Sequence, residues 1–402
     1  MTKKHFEAFK HSLSQSIYSN AIFIHGEFED FKISIKYAGT PKAIEAIEYV
    51  RINFSRTVTI IVEVELFKND EQIQGELNLS HCSFHNKVEF INCTFFQNVD
   101  FKDCSFLSKF NVLDCEFKKK VRFHESVFEM GASFDNTTFN DLVDFYFAKF
   151  RAIQQFLLTD FLGVTIFSNA TFFNQVQFLY NKTSSDTIIS FESTTFEQGI
   201  DISRSNFWCK IHFWNATIND NPDWLWLYGT DLFEDNKSDY NSAAYKRLRE
   251  SFRIIKNEFR KESNQTDSLL AQKSELSLLR RELKHDSKSK VEDKLALWFY
   301  KVSNNYGTSW IWSLFFTIIV SSFFYLLFLW SILNQLNFEW TSSAIKNTLL
   351  HFIEFLNITN WNFNPFGISN YGLSYALLFV GRLFIGFAYY QFIQAFRRFG
   401  KT

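Results

Sequence analysis

The cysteines and histidines near position 82 are the residues of this chain whose types first suggest chemistry. Cys82 is flanked by His81 and His85, and zinc is commonly bound by thiolate sulfur together with imidazole nitrogen. The cysteine spacing, however, is a constant eleven residues, which matches no zinc motif. We interpret the four as small residues of a repeating core, with no metal and no cofactor: Cys82, Cys93, Cys104 and Cys115. The fifth cysteine, Cys209, stands alone, and we expect it to be buried or inert.

Sequence signatures of enzymes are missing from the chain. It has no glycine-rich phosphate loop, no nucleophile elbow and no His-Glu-x-x-His pair of metal ligands. With 13 glycines and three prolines among 402 residues, it has few tight loops on which a site can be built. Scattered acids such as Asp100, Asp103 and Asp144 are more simply interpreted as soluble surface than as a catalytic pair. We therefore predict a protein without catalytic residues that is not an enzyme.

Two charged residues in the apolar C-terminal part are the remaining candidates for function. Arg382 lies near the centre of a long apolar run, where an arginine costs ~2.5–3.5 kcal/mol on membrane-insertion scales. We hypothesise that it pairs with Glu354, either within one chain or across a contact between two chains. In the alternatives, Arg382 extends to the membrane interface, locks helix packing, or serves a pore or its gate.

Phenylalanine, at 52 of 402 residues, organises the elements that position these candidates. One column recurs every eleven residues: Phe84, Phe95, Phe106, Phe117, Phe128, Phe139, Phe150, Phe161 and Phe172. A second column interleaves with it: Phe90, Phe101, Val112, Phe123, Phe134, Phe145, Phe156, Phe167 and Phe178. The alternating steps of six and five residues fit neither an α-helix nor a flat sheet. They predict a solenoid whose coils repeat the same interior slots.

A small residue two positions before each phenylalanine of the first column indicates how the strands face. This set contains the four cysteines and then Ser126, Thr137, Ala148, Thr159 and Ala170. Because side chains alternate along a strand, the small residue and the ring both point inward. Two eleven-residue units then form one coil of 22 residues, and the range 73–218 holds roughly six to seven coils.

Units such as Asn92-Cys93-Thr94-Phe95 and Ser168-Asn169-Ala170-Thr171-Phe172 resemble the pentapeptide-repeat family. The resemblance implies a β-solenoid that is a right-handed quadrilateral parallel β-helix, although an extra residue in alternate sides departs from a strict five-residue repeat. Some soluble members mimic duplex DNA and bind topoisomerase, which requires a strongly acidic rod. Residues 73–218 contain 16 acidic and 12 basic residues, and the whole chain has a net charge of −1. We therefore predict no nucleic-acid mimicry and no nucleic-acid partner.

The repeat divides the chain into four predicted regions. They are an N-terminal α/β cap at 1–72, the solenoid at 73–228, a cytoplasmic helical linker region at 229–302 and a two-span transmembrane domain at 303–402. In the cap we predict strands at Phe31–Tyr37 and Thr57–Phe67 and a helix at Pro41–Val50. In the linker region, helical periodicity covers Tyr240–Glu262, Asp267–Lys284 and Val291–Val302, which form a helical hairpin.

Two apolar runs, Ser309–Ser331 and Gly372–Gln394, are long enough to cross a bilayer. Between them, Ser343–Ile358 is predicted to be an amphipathic, re-entrant helix that dips into the membrane. Lys and Arg residues flank the outer ends of both runs, which predicts that the solenoid and the C-terminus face the cytoplasm at the inner (plasma) membrane. The C-terminal region also resembles the ending of bacterial membrane-anchored pentapeptide-repeat proteins, in the stretches 304–310 and 390–401.

The order of span, short helix, loop and span resembles that of two-span tetrameric cation channels. Their Thr-x-Gly-Tyr-Gly filter is absent, because the corresponding residues are Thr359-Asn360-Trp361-Asn362-Phe363. We predict a non-enzymatic membrane-anchored scaffold or sensor whose partners are the lipid bilayer and either a protein or a second copy of the chain. The alternative is an oligomeric pore, not selective for potassium, that is gated by the cytoplasmic domain.

Overall fold

The computed structural model of this chain is a parallel β-solenoid of about six turns followed by helices. It describes residues 21–25, 31–34, 49–53, 60–63, 71–73, 76–81, 83–84, 88–220, 237–286, 288–332, 341–360, 363–364, 367 and 372–396. The predicted fold class is therefore confirmed: a solenoid precedes two long apolar helices.

Within the described ranges, four parallel sheets form the walls of the solenoid. Sheet A contains Ala21–His25, Tyr49–Asn53, Glu76–Asn78, Val99–Asp100, Val121–Arg122, Val143–Asp144, Thr165–Ile166, Ile188–Ser190 and Lys210–His212. Sheet B contains Ser83–Phe84, Ser105–Phe106, Val127–Phe128, Lys149–Phe150, Thr171–Phe172, Thr195–Phe196 and Thr217–Ile218. Sheet C contains Val88–Ile91, Phe110–Leu113, Ala132–Ser133, Gln154–Leu157, Val176–Lys182 and Ile200–Asn206. Sheet D contains Glu71–Ile73, Cys93–Phe95, Glu116–Phe117, Thr138–Phe139 and Asp160–Phe161.

Successive strands of one wall are 22 residues apart through most of the solenoid. In sheet B, Phe106 pairs with Phe84 on one side and with Phe128 on the other. In sheet D, Phe117 likewise pairs with Phe95 and Phe139. These pairings confirm the predicted coil of 22 residues.

Strands before residue 72 continue a wall of the solenoid. Ala21–His25 pairs in parallel with Tyr49–Asn53, which pairs in parallel with Glu76–Asn78 of the same sheet. Sheet A therefore begins before residue 72, the predicted end of the cap. The helix predicted at Pro41–Val50 is wrong at its last two residues, because the strand Tyr49–Asn53 begins there. The strand predictions at Phe31–Tyr37 and Thr57–Phe67 correspond to a two-stranded sheet of Phe31–Ser34 with Ile60–Glu63. Residues 41–48 lie outside the described residues.

The core consists of phenylalanine rings stacked along the solenoid. Phe106 and Phe128 stack with centroids 5.0 Å apart and planes within 4°, and Phe145 and Phe167 stack at 4.9 Å. Rings of neighbouring stacks meet edge to face, as Phe123 meets Phe134 at 5.5 Å. Each such aromatic pair contributes ~0.5–1.5 kcal/mol beyond the area that it buries.

The valine that interrupts the second column is matched by a larger neighbour. Val112 and Phe110 are both fully buried, two residues apart on one strand. In the adjacent coil of sheet C, the pair is Ala132 with Phe134, so the large and small positions are exchanged. The exchange keeps the filled volume of the slot nearly constant, as close packing requires.

The small inward slots contain side chains that also donate hydrogen bonds. Ser126 Oγ donates to Phe101 O at 2.6 Å, and Thr159 Oγ1 donates to Phe134 O at 2.8 Å. Cys104 Sγ donates to the equivalent carbonyl, Leu79 O, at 3.0 Å. The slot therefore selects for a small side chain, and where that side chain is a serine, threonine or cysteine it also gives a buried carbonyl a partner, whereas Ala148 and Ala170 supply volume alone.

Six helices follow the solenoid in the described part of the chain. They are α1 (Lys237–Lys261), α2 (Gln265–His285), α3 (Val291–Asn304), α4 (Trp310–Ile332), α5 (Ser342–Leu356) and α6 (Gly372–Phe396). Their bounds lie within three residues of the predicted helices and spans. Helices α4 and α6 are long and apolar enough to cross a membrane.

The chain divides into two compact units, residues 1–258 and 259–402, and the boundary falls inside α1. Within the first unit, α1 covers the last strand of sheet C. Ser251 Oγ accepts a hydrogen bond from Ile202 N at 3.0 Å, and Leu248 lies against Gly199. An exposed strand edge presents unpaired amides to other chains, so this contact closes part of that edge.

Candidate functional site

The corners of the solenoid hold left-handed backbone that the sequence analysis did not predict. Residues at eleven-residue spacing have φ between 50° and 61°: His81, Asn92, Asp103, Asp114, Glu125, Asn136, Phe147, Leu158, Asn169 and Tyr180. Asn and Asp tolerate this conformation better than apolar residues do. A signal for it was present in the sequence, because an Asn or Asp often directly precedes the small inward residue.

Three of these corner residues are apolar and exposed, although their backbone is strained. Phe147, Leu158 and Tyr180 are 45%, 46% and 50% exposed. A left-handed residue with a Cβ costs roughly 1–2 kcal/mol. Because every corner of this series has the same backbone, the strain comes from the coil itself, and the exposed apolar side chain is what distinguishes these three corners.

Leu158 and Tyr180 share one corner in adjacent coils, and an exposed tryptophan lies in the next coil. Trp208 is 78% exposed, and its backbone amide donates a hydrogen bond to Thr183 Oγ1 at 2.8 Å. We call Leu158, Tyr180 and Trp208 the corner ridge. Large aromatic side chains of this kind dominate binding energy at protein interfaces.

The cysteines and histidines singled out above occupy different environments. Cys93, Cys104 and Cys115 are buried and unlinked, whereas Cys82 and His85 lie outside the described residues. Cys209 is 6% exposed, and burial raises the pKa of its thiol, which keeps it protonated and poorly nucleophilic. His81 is exposed, and its Nδ1 lies 3.0 Å from Oδ2 of Asp103 on the surface. The expectation of no metal, cofactor or catalytic group stays a prediction.

In the second unit, α4 and α6 pack side by side in opposite directions. The rings of Trp310 and Phe396 are 5.5 Å apart at one end, and those of Phe324 and Phe384 are 5.1 Å apart nearer the middle. The buried face of α4 begins with small polar residues one turn apart: Ser313, Thr317 and Ser321. Small residues let two helices approach closely in an apolar environment.

Helix α5 is fastened to both long helices by tyrosine hydroxyls. Tyr325 of α4 donates a hydrogen bond to Thr348 O at 2.8 Å, and Tyr389 of α6 donates to Leu356 O at 3.0 Å. Phe355 near the end of α5 is fully buried among aromatic rings of α4. The C-terminal end of α5 therefore lies beside the middle parts of α4 and α6.

Gly381 marks the point where the three helices meet. A Cβ added there would lie 3.0 Å from Phe324 Cβ of α4 and 3.3 Å from Phe355 Cζ of α5. Gly386, five residues later on α6, would place its Cβ in open space. A side chain at Gly381 would therefore push against Phe324 and Phe355, which would have to move by a few tenths of an ångström.

The two charged candidates occupy opposite kinds of position. Arg382 is 3% exposed and follows Gly381 into the interior of the second unit. The side chain of Glu354 is 56% exposed, and its Oε2 lies 3.4 Å from Nδ1 of His351 on the same helix. Their predicted pairing stays a prediction.

The connection between α3 and α4 contains three consecutive left-handed residues. Asn305, Tyr306 and Gly307 have φ of 52°, 60° and 80°. The preceding Asn304 is fully buried, and its Nδ2 donates to Gln391 Oε1 of α6 at 2.5 Å. The stretch 304–310 resembles part of the ending of membrane-anchored pentapeptide-repeat proteins, but the sequence does not predict that it contacts the end of α6.

No family model, no curated protein and no solved structure matches this chain. The regular phenylalanine stacking in a parallel solenoid is compatible with pentapeptide repeats. Membership of that family stays a prediction that rests on the chain's own repeat.

Proposed function

We propose that this protein is a non-enzymatic scaffold or sensor, anchored in the inner membrane, that presents its solenoid to a protein partner in the cytoplasm. Helices α4 and α6 are the proposed membrane crossings, with both ends of the chain on the cytoplasmic side. Their outward faces support the crossings, because they expose large apolar side chains such as Ile319 and Leu326, at 66% and 63%.

The corner ridge is the observation that carries the scaffold proposal. Trp208, at 78% exposed, lies one coil after two exposed apolar residues on left-handed backbone, Leu158 and Tyr180. Exposed apolar clusters of this kind mark interaction sites. A partner that covers the ridge would gain the aromatic contacts that dominate protein interfaces.

The test is site-specific photo-crosslinking in living cells. A benzophenone amino acid at Trp208 should give one discrete adduct, and the same group at the exposed polar corner residue Glu125 should give none. The adduct formed from a third labelled position, Asn206, should be lost in the double variant Tyr180→Asn, Trp208→Ser. Indistinguishable adduct patterns from positions 208 and 125 would reject the ridge as a docking surface.

A second candidate function, an oligomeric pore, is favoured by the position of α5. The end of this helix lies beside the middle parts of the proposed crossings, yet Glu354 is more than half exposed there. A carboxylate at that depth is costly when it faces lipid. Copies of the chain that place Glu354 around a wet axis would remove this cost, and rings of acidic side chains favour cations.

Purified chain in liposomes separates the two functions. The pore requires oligomers in detergent and ion flux across the vesicle wall, and Glu354→Gln should reduce cation preference in the assembled oligomer. A monomer in detergent with no flux would remove the pore and leave the scaffold.

A further inference from the structure

Sheet C contains a recess on its outer surface. Its strand Ala132–Ser133 has two residues, whereas the strands on either side, Phe110–Leu113 and Gln154–Leu157, have four each. The recessed coil presents small residues at the outer surface, Gly131 and Ser133, on either side of the inward-pointing Ala132. A cleft of about 440 Å³ results, and side chains from three other coils complete its lining.

The outward column that crosses this cleft is a series of amides with one gap. Strand register aligns Asn111, Ser133, Gln155 and Gln177 in four successive coils. Gln155 Nε2 donates to Gln177 Oε1 at 2.9 Å, which is the start of an amide ladder. Ser133 is too short to continue the ladder towards Asn111.

The gap is polar and has the size of one amide. Ser133 Oγ is buried and has no hydrogen-bond partner among the described residues. Strands in a sheet are ~4.8 Å apart, so Asn111 and Gln155 are separated by roughly 9.6 Å, about the room that one further side chain would take. The Oγ is enclosed, so it meets a ligand in the cleft only after the Ser133 side chain rotates, and the bond then removes the cost of a buried hydroxyl without a partner.

The surroundings indicate a neutral dipolar group rather than an ion. Lys109 and Asp135, of opposite charge, both line the cleft. Met130, 59% exposed, offers an apolar surface beside the polar floor. A carboxamide on a short methylene stem matches both features.

We propose that this cleft binds the carboxamide side chain of an asparagine or glutamine in an extended peptide segment of the partner. The inserted amide takes the position of the missing rung between Asn111 and Gln155 and bonds with Ser133 Oγ. The inference deepens the scaffold function and rests on it, since it names the chemistry of the segment that docks.

The test uses N-acetyl-glutamine amide as the probe, with N-acetyl-leucine amide as the matched control. Ligand-observed NMR on the full chain in detergent should show binding of the glutamine probe at ~1 mM and much weaker binding of the leucine probe. Ser133→Gln, which fills the gap from within, should weaken binding at least about tenfold while leaving circular dichroism unchanged. Ser105→Gln, on the outer surface of sheet B, should leave binding unchanged.

Equal binding of the two probes, or full binding by a well-folded Ser133→Gln variant, would overturn the proposal. Binding of maltotriose in place of the glutamine probe would also overturn it and assign the cleft to saccharide hydroxyls. If neither probe binds but the Trp208 adduct forms, the cleft proposal fails while the scaffold function stands. If the Trp208 adduct is lost while the glutamine probe still binds, the carboxamide site stands and the scaffold function proposed for the corner ridge fails.

Discussion

At the scale of the residue, the inward positions of the solenoid select for both volume and hydrogen bonding. Ring positions are filled by phenylalanine except at Val112, and most small positions hold a residue whose hydroxyl, thiol or amide donates to a carbonyl of the preceding coil; Ala148 and Ala170 do not. Asn181 shows the second demand, because its Nδ2 donates to both Phe156 O and Thr159 O. Corner positions select for something else, the ability to adopt positive φ.

A core ring and a corner ring should therefore respond oppositely to substitution. Phe128→Ala empties a fully buried slot and should lower the free energy of unfolding by ~3–5 kcal/mol. Phe147→Asn replaces an exposed, strained residue by one that tolerates left-handed backbone, and should raise that free energy by about 1 kcal/mol. Denaturant titration followed by circular dichroism measures both. A loss at Phe147 as large as that at Phe128 would mean that the corner ring belongs to the core.

The surface of the solenoid supplies a pH-dependent prediction. Hydrogen bonds from Lys118, and then from Asn140 at 2.8 Å, lower the pKa of the Glu116 carboxyl despite partial burial. The folded state therefore binds this proton less readily than the unfolded state, so Glu116 stabilises the fold above its unfolded pKa. That contribution is lost as pH falls through the folded pKa.

The thermal midpoint of the wild type should thus fall more steeply between about pH 5 and pH 2 than that of Glu116→Gln. The contribution is small, because the side chain is about one-third exposed. If the thermal midpoints of the two proteins fall in parallel over this pH range, the hydrogen bonds to the Glu116 carboxylate do not stabilise the fold.

Individual residues differed in how far the sequence could predict them. The inward phenylalanines and small residues were predictable, because residues spaced eleven apart occupy equivalent positions in the coils and therefore the same kind of environment. The left-handed corners were missed, since Phe147, Leu158 and Tyr180 conceal the Asn and Asp preference that the other corners display. The hydrogen bonds of the small slot depend on which carbonyl lies opposite, and that requires the coil geometry.

At the scale of the element, the bundle of α4, α5 and α6 depends on close approach at one glycine. Alanine is favoured over glycine inside a helix by roughly 1 kcal/mol, which applies equally to Gly381 and Gly386. At Gly381 the added methyl group meets Phe324 Cβ at 3.0 Å, and at Gly386 it meets nothing. The two positions form a matched pair on one helix.

Gly386→Ala should keep or raise the thermal midpoint of the second unit, whereas Gly381→Ala should lower it by several degrees, because Phe324 of α4 and Phe355 of α5 must both move. Tryptophan fluorescence of the detergent-solubilised chain measures both. Equal thermal midpoints for the two variants would contradict the close packing of α4 and α5 against α6 at Gly381.

Helix bounds were predictable from apolar periodicity and from runs without charge. The contacts of α5 were not, because Tyr325, Tyr389 and Gly381 have no distinctive spacing in sequence. The N-terminal strands were predicted as a cap, since residues 1–72 lack the phenylalanine repeat. Strand pairing does not need that repeat, and Tyr49–Asn53 joins sheet A through its backbone.

At the scale of the whole molecule, the chain has two compact units whose exposed side chains differ in polarity. In the unit of residues 1–258, the described outward positions of the solenoid carry polar and charged side chains such as Arg122 and Asp144. The unit of residues 259–402 exposes large apolar side chains along α4 and α6. This division supports the central claim, a solenoid tethered to a lipid bilayer by two crossings.

Alkaline carbonate extraction of cell membranes tests that claim most directly, because it releases peripheral proteins and retains those that cross the bilayer. The full-length chain should remain in the membrane pellet, together with an authentic two-span marker protein. Complete release of the folded chain into the supernatant, with the marker retained, would contradict the two crossings and the functions proposed on them.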